Sequence, residues 1–341
     1  MKPSVTIGIV LAALATFALI AVIFQDRGNT RSAENTAPPV VIAKPYEGMR
    51  VAYIDSYHEG YPWSDGIANA IANGFSDTGV ELRTFHLDAK HKSSIDEQVT
   101  SAAAIHTEIE AFHPDVLIVS DDSAFLFLVA EYERNTSLPV VFVGVNWDIT
   151  QYGGPYTNTT GMIEVSQIER VIEHLATYAK GTRIGYLSAN TWTDEKNLEW
   201  YTNTLRIQFD ATELVNTMDE WEAAFKRLQS EADLLIIENS GGIAGWDDKR
   251  AEAFALAWTA IPVGTTNRFA MQESLLGIVK VPEEQGAWAA NAARRILDGA
   301  KPQDIPITKN KQGVLLVNLS IAERIGALFP ANILKSAEIV R

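Results

Sequence analysis

Short apolar, β-branched runs alternate along the chain with longer stretches in which apolar residues recur at the i, i+3, i+4 spacing of a helix. The runs are RVAYID from Arg50, VELRTFHL from Val80, DVLIVS from Asp115, PVVFVGV from Pro139, TRIGYLS from Thr182, ADLLIIEN from Ala232 and IPVGT from Ile261. Each has the length of a strand and closes on a polar turn. Helical stretches between them include Ser94 to Phe112 and Gln167 to Ala179. Strand and helix in alternation predict βαβ units, an α/β fold whose parallel sheet is covered on both faces. The rhythm alone fits one doubly wound sheet, a barrel or two smaller sheets.

One apolar run is far longer. From Ser4 to Phe24 the chain carries no charge for 21 residues, which at about 1.5 Å per residue spans the ~30 Å core of a bilayer. Lys2 precedes it, so the positive-inside tendency places everything after Asp26 outside the cytoplasm. The run exceeds a usual signal core and no small-x-small site follows Phe24. Residues 1–25 are therefore expected to be either a cleaved signal peptide or an inner-membrane anchor, and residues 26–48, polar with two adjacent prolines, an extended linker. The folded part is expected to be periplasmic or otherwise extracytoplasmic.

Composition narrows the function classes. The chain has 341 residues, 47% of them hydrophobic, and a net charge of -15, which argues against a nucleic-acid surface, since that needs clustered Lys and Arg. Without cysteine there is no disulfide, thiolate metal site or Cys nucleophile. The chain lacks Gly-x-Ser-x-Gly, His-Glu-x-x-His, the P-loop and a Gly-x-Gly-x-x-Gly after a strand. Its histidines, at 58, 86, 91, 106, 113 and 174, show no metal-binding spacing. Neither catalysis, nor a cofactor, nor a metal is expected; the remaining enzyme reading is a glycosidase using loop carboxylates such as Asp121, Asp122 and Glu238.

Chemistry concentrates where ligands of open parallel sheets bind, beyond the carboxyl ends of the strands. The turns there read SYHEGYPW (Ser56 to Trp63), SDDSAF (from Ser120), GVNWD (from Gly144), SANTWTD (from Ser188), ENSGGIAGWD (from Glu238) and GTTNRF (from Gly264). Four of the eight tryptophans, Trp63, Trp147, Trp192 and Trp246, fall in these turns. A single loop Trp is often a packing plug, but four at corresponding strand ends point to a shared site.

The blocks SYHEGYPWSDG, PDVLIVSDDSA (from Pro114), LPVVFVGVNWD (from Leu138), NTTGMIEV (from Asn158) and the tail GVLLVNLSIAERIGALFPANILKSAEIV (from Gly313) follow one another in an order that resembles the ABC-transporter substrate-binding family with the type I periplasmic-binding fold. Some members of that family bind tryptophan or tyrosine. The resemblance covers roughly Arg50 to Arg341. It implies two lobes, each a parallel sheet flanked by helices, joined by three hinge crossings. Residues 46–155 plus 276–310 would form the first lobe and 156–275 plus 311–341 the second, with crossings near Asn158 to Gly161 and Thr265 to Asn267. It further implies a protein that captures a small molecule, an amino acid or other small polar or aromatic solute, and hands it to an ABC importer permease. The aromatic Ser-Tyr-His knot resembles a subgroup that also serves as sensory ectodomains, so action through a partner receptor is the alternative.

In such a cleft Ser56 and nearby amides suit an anionic group at a helix N-terminus, and Tyr57, Tyr61 and Trp63 suit stacking. His58 is read as a loop-stabilising group or a ligand contact. One of Asp121 and Asp122 is expected to cap the helix that begins near Ser123, and the other to meet an ammonium. Ser120, Asn146, Trp147, Asn190, Trp192, Glu238, Asn239 and Thr266 complete the expected contacts, with an Asx-turn competing for Asn146.

Overall fold

In strand β1 (Arg50–Asp55), Val51 and Tyr53 face one way, Ala52 and Ile54 the other, and all four are buried. Side chains alternate across a strand, so a strand with no wet face must be covered on both sides. The same double burial recurs in β3 (Val116–Ser120) and β4 (Val140–Asn146), with β2 (Glu81–His86) lying at the sheet edge. The computed structural model describes residues 44–92 and 94–340; the apolar segment 4–24 and the linker up to residue 43 lie outside them. Among the described residues no helix is long and apolar enough to cross a membrane.

The remaining strands are β5 (Thr159–Glu164), β6 (Ile184–Ala189), β7 (Ala211–Val215), β8 (Leu234–Ile237), β9 (Val263–Thr265), β10 (Leu276–Lys280), β11 (Thr308–Lys309), β12 (Gly313–Asn318) and β13 (Glu338–Val340). The helices are α1 (Pro62–Gly74), α2 (Ile95–Phe112), α3 (Asp121–Ala124), α4 (Ile168–Ala176), α5 (Trp192–Asn203), α6 (Met218–Glu231), α7 (Asp248–Trp258), α8 (Pro282–Leu297), α9 (Leu319–Ile325) and α10 (Ala331–Ser336). Two sheets result, ordered β11-β5-β4-β3-β1-β2 and β13-β12-β10-β9-β8-β6-β7. The first is parallel throughout; in the second, β12 runs antiparallel to β10.

Helices cover both faces of each sheet, the two-lobed α/β architecture expected. In the first lobe Ile105 and Ile109 of α2 pack on one face, and Ile67 of α1 with Ala289 and Ala293 of α8 on the other. In the second, Trp221 and Phe225 of α6 oppose Val171 and Leu175 of α4. The chain crosses between sheets three times: after β5, after β10 and between β11 and β12. The first two of these lie later than expected. Asn158 precedes β5 and Thr159 to Gly161 open it, pairing with β4 and so extending the first sheet. Likewise β10 pairs with β9 and β12, which keeps residues 276–280 in the second lobe, while α8 returns to the first.

That return demands close helix packing. A Cβ on Gly286 would stand 2.3 Å from the Ile67 carbonyl oxygen, and one on Gly74 would stand 2.4 Å from Ala290 Cβ. Only glycine lets α1 and α8 approach this nearly. Gly286→Ala should force the helices apart and cost about 1–3 kcal/mol, read as a lowered urea midpoint at unchanged m-value; a midpoint equal to wild type would show that the contact has slack.

Candidate functional site

The carboxyl ends of both sheets carry polar groups into the space between the lobes. A cavity of about 180 Å³ is lined from the first lobe by Asn146 and Trp147 and from the second by Asp194, Asn197, Tyr201, Glu238 and Asn239. A wider one of about 480 Å³ is bordered by Trp63, Pro282 and Glu283. Both share Thr266, Asn267 and Lys280.

Lys280 ends β10 and forms an ion pair with Glu164, which ends β5. Burial pulls the Lys280 ammonium down, but Glu164 beside it, with Glu238 and Asp121 farther off, outweighs that and holds it above its ordinary value. Burial pushes the Glu164 carboxyl up, partly offset by Lys280. The Lys280 ammonium lies 5.5 Å from the centre of the Trp63 ring, within cation–π range.

The two adjacent aspartates behave differently. Asp122 is fully engaged: it accepts from Asn146 Nδ2 at 2.6 Å, Tyr152 Oη at 2.6 Å and the Asn146 amide at 3.3 Å. Asp121 is buried with a left-handed φ of 68°. It accepts from Trp63 Nε1 at 3.0 Å, while its Oδ2 is buried with no hydrogen-bond partner among the described residues. Burial first, then Glu164 and Asp122, drives its carboxyl well above the usual range. Neither aspartate caps the helix as expected. They are the first two residues of α3, and the amide of Ala124 is met instead by Ser56 Oγ at 2.8 Å.

That bond also settles the geometry of Ser56, which donates to the Ser120 carbonyl at 2.6 Å and is fully buried. Ser120 Oγ pairs with Tyr53 Oη at 2.9 Å. Both serines tie strands together and line neither cavity. Burial, followed by Asp121, Glu164 and Asp122, raises the Tyr57 hydroxyl well above its ordinary value. Tyr61 stands edge-on to Tyr57 at 5.1 Å. His58 sits beside Asp88 and His91 at the rim of the lobe. Asn190 is exposed and bonds Asn216. The Trp192 side chain lies outside the described part of the structure. Trp246 packs edge-on against Trp221 at 5.2 Å.

Trp147 crosses the gap. It follows β4 of the first sheet, yet its ring stacks on Trp200 at 5.3 Å, meets Tyr201 edge-on at 5.4 Å and donates to Asn197 Oδ1 at 2.9 Å, all on α5. In the second lobe, Glu238 accepts from Thr266 Oγ1 at 2.7 Å and Asn267 Nδ2 at 2.5 Å, and burial lifts its carboxyl to about 7 against these bonds. Asp194 accepts from Ser188 Oγ and Asn239 Nδ2, each at 2.9 Å. Sequence reasoning missed Asp194, Asn197, Tyr201, Glu164 and Lys280. Of these, Lys280 left a trace, a lysine closing the apolar run LGIV.

A cleft between two α/β lobes, lined by strand ends of both and crossed three times by the chain, defines a two-lobed solute-binding protein. The profile of the family described as ABC transporter substrate binding protein matches residues 61–341, and the chain belongs to that family. Its members are binding proteins and typically extracytoplasmic. No curated protein matches the sequence. Among solved structures, a ligand-free, open substrate-binding protein with adhesive properties from Clostridium difficile is similar at 14% identity and a TM-score of 0.68, covering 86% of this chain and 99% of that one. An ABC domain in complex with L-Trp from Streptococcus pneumonia is similar at 17% identity and TM-score 0.57, with the same coverages of 86% and 99%. A periplasmic ribose ABC transporter protein from Conexibacter woesei matches at 17% identity and TM-score 0.52, again over 86% and 99%.

Two measurements test this geometry. Trp147→Ala should cost about 3–5 kcal/mol of stability, because the ring fills a core position of the second lobe; chemical denaturation at an unchanged midpoint would mean the ring merely rests in the cleft. Glu238, lifted from an ordinary 4.5 to about 7, binds its proton more tightly when folded. Its contribution is therefore full below pH 4.5 and lost as pH rises through 7, up to about 3 kcal/mol. Glu273, also lifted to about 7 by burial, adds a parallel loss. Denaturation midpoints should fall between pH 4.5 and 7.5 in wild type, and fall less steeply in Glu238→Gln.

Proposed function

We propose that the chain captures one small polar solute in the cleft between its lobes, outside the cytoplasm, and delivers it to an ABC importer permease. The observation that carries this reading is the convergence of strand-end groups from both sheets on Lys280: Trp63, Asp121, Asn146 and Glu164 from one side, Glu238, Asn239, Thr266 and Asn267 from the other. Family membership supports the delivery step.

The cleft chemistry favours a ligand that brings hydrogen-bond donors and a flat or apolar face. Glu238 lines the smaller cavity with its carboxyl lifted to about 7 by burial, and Asn146 and Asn239 line it with side-chain amides. A ligand ammonium or hydroxyl would find acceptors there. Trp63, half-buried and lining the wider cavity, offers the apolar surface. Asp122 is already saturated by Asn146 and Tyr152 and shapes the site rather than contacting the solute.

Mass spectrometry of small molecules released from the purified full chain, with a thermal-shift screen of amino acids, sugars and purines, should identify the ligand. At roughly 100 times its Kd it should stabilise by about 2.7 kcal/mol. Small-angle scattering should then show compaction, and Trp63→Ala should weaken binding by about 0.5–1.5 kcal/mol while preserving the fold. No stabilisation by any class, or an unchanged scattering profile at saturation, would defeat the reading.

A further inference from the structure

Another cluster of titratable side chains lies away from both cavities, where the loop after β1 meets the loop after β2. The Asp88 amide donates to the Tyr57 carbonyl and the Ala89 amide to the Ser56 carbonyl, each at 2.9 Å. These bonds hold Asp88 at a left-handed φ of 62°, which aspartate tolerates better than most residues. Asp88 Oδ1 thereby stands 2.7 Å from His91 Nδ1 and 3.5 Å from His58 Nδ1. The three donor atoms all lie within 4.8 Å of one another.

Two details distinguish this from a surface ion pair. Among the described residues His58 Nδ1 is buried with no hydrogen-bond partner, although it faces a carboxylate oxygen. The imidazoles of His58 and His91 lie close together, centroids 4.3 Å apart with their planes tilted by 33°, and both direct Nδ1 at the same Asp88 oxygen. Around a tetrahedral ion with metal–nitrogen bonds of about 2.0–2.1 Å, donors stand about 3.3 Å apart, a spacing these side chains reach with small rotations. The neighbouring ammonium groups are occupied elsewhere. Lys90 Nζ lies over the Tyr57 ring at 4.4 Å and the Tyr61 ring at 5.3 Å, and Lys92 donates to Ser101 Oγ at 3.2 Å.

We propose that His58, Asp88 and His91 form a binding site for a divalent first-row transition cation of the zinc class. Two imidazoles and a carboxylate suit such an ion, whereas Mg²⁺ and Ca²⁺ require a larger set of oxygens. Three protein donors leave a fourth position for water or an exogenous group. The bound ion joins the loop after β1, which carries Tyr57, to the loop that leads into α2. Spacing along the chain conceals the site, because its donors come from two loops that only the parallel pairing of β1 and β2 brings together.

The test is Zn²⁺ titration of the tag-free full chain after chelator treatment, against a chromophoric competitor, for wild type, His91→Ala, Asp88→Asn and the control His174→Gln in α4. Wild type and control should bind one Zn²⁺ per chain, with affinity at least roughly tenfold weaker in His91→Ala and in Asp88→Asn. His91 is exposed, so its truncation leaves the fold in place. Equal affinity in all four proteins, or no binding by wild type up to about 100 µM free Zn²⁺, overturns the site.

Discussion

A lysine ammonium placed between two protein lobes requires a fixed counter-charge, and Glu164 provides it. Leaving either charge alone in a desolvated setting costs several kcal/mol, so the last residue of β5 and the last residue of β10 are held together where the chain changes lobes. Asn310, at the third crossing, closes the arrangement: its Oδ1 accepts from the Val165 amide at 2.6 Å and its Nδ2 donates to the Val165 carbonyl at 3.1 Å. All three connections are thus laced at one level of the molecule. The cavities open from that level, which is why Lys280 belongs to both.

The acidic groups nearby are set apart by backbone geometry rather than by residue type. Asp122, in ordinary helical conformation, reaches Asn146 and Tyr152 and is satisfied. Its neighbour Asp121, turned by a left-handed φ, points toward the Trp63 indole, which donates to it. Burial among Glu164, Asp122 and Asp55 drives this carboxyl well above the usual range and disfavours its charged form. The first lobe therefore offers adjacent carboxyl groups of different character, one structural and one with spare hydrogen-bonding capacity.

Strand runs with β-branched residues on both faces, such as DVLIVS and PVVFVGV, were legible because double burial leaves no polar position to blur the pattern. The lobe to which β5 and β10 belong was not, since a parallel strand's neighbour is chosen by long-range pairing that one sequence does not encode locally. The same limit applies at the site. Trp63, Asn146, Glu238 and Thr266 were found from their strand-end turns and line the cavities or bond within them. Ser56 and Ser120 share that position but turn into the sheet, where Tyr53 and the Ala124 amide absorb their hydroxyls. Asn197 and Tyr201 escaped notice because they come from within α5, a helix whose strongly polar sequence conceals the face it gives to the cleft, whereas Asp194 closes the turn SANTWTD and was passed over for Asn190 and Trp192.

Trp147 belongs to the first lobe by chain connection and to the second by packing. A side chain rooted in both bodies acts as an axle pin. While it stays seated, the lobes can turn relative to each other only about lines passing close to its ring, so sliding and wide translation are forbidden. Displacement then grows with distance from the pin, like the free edge of a door.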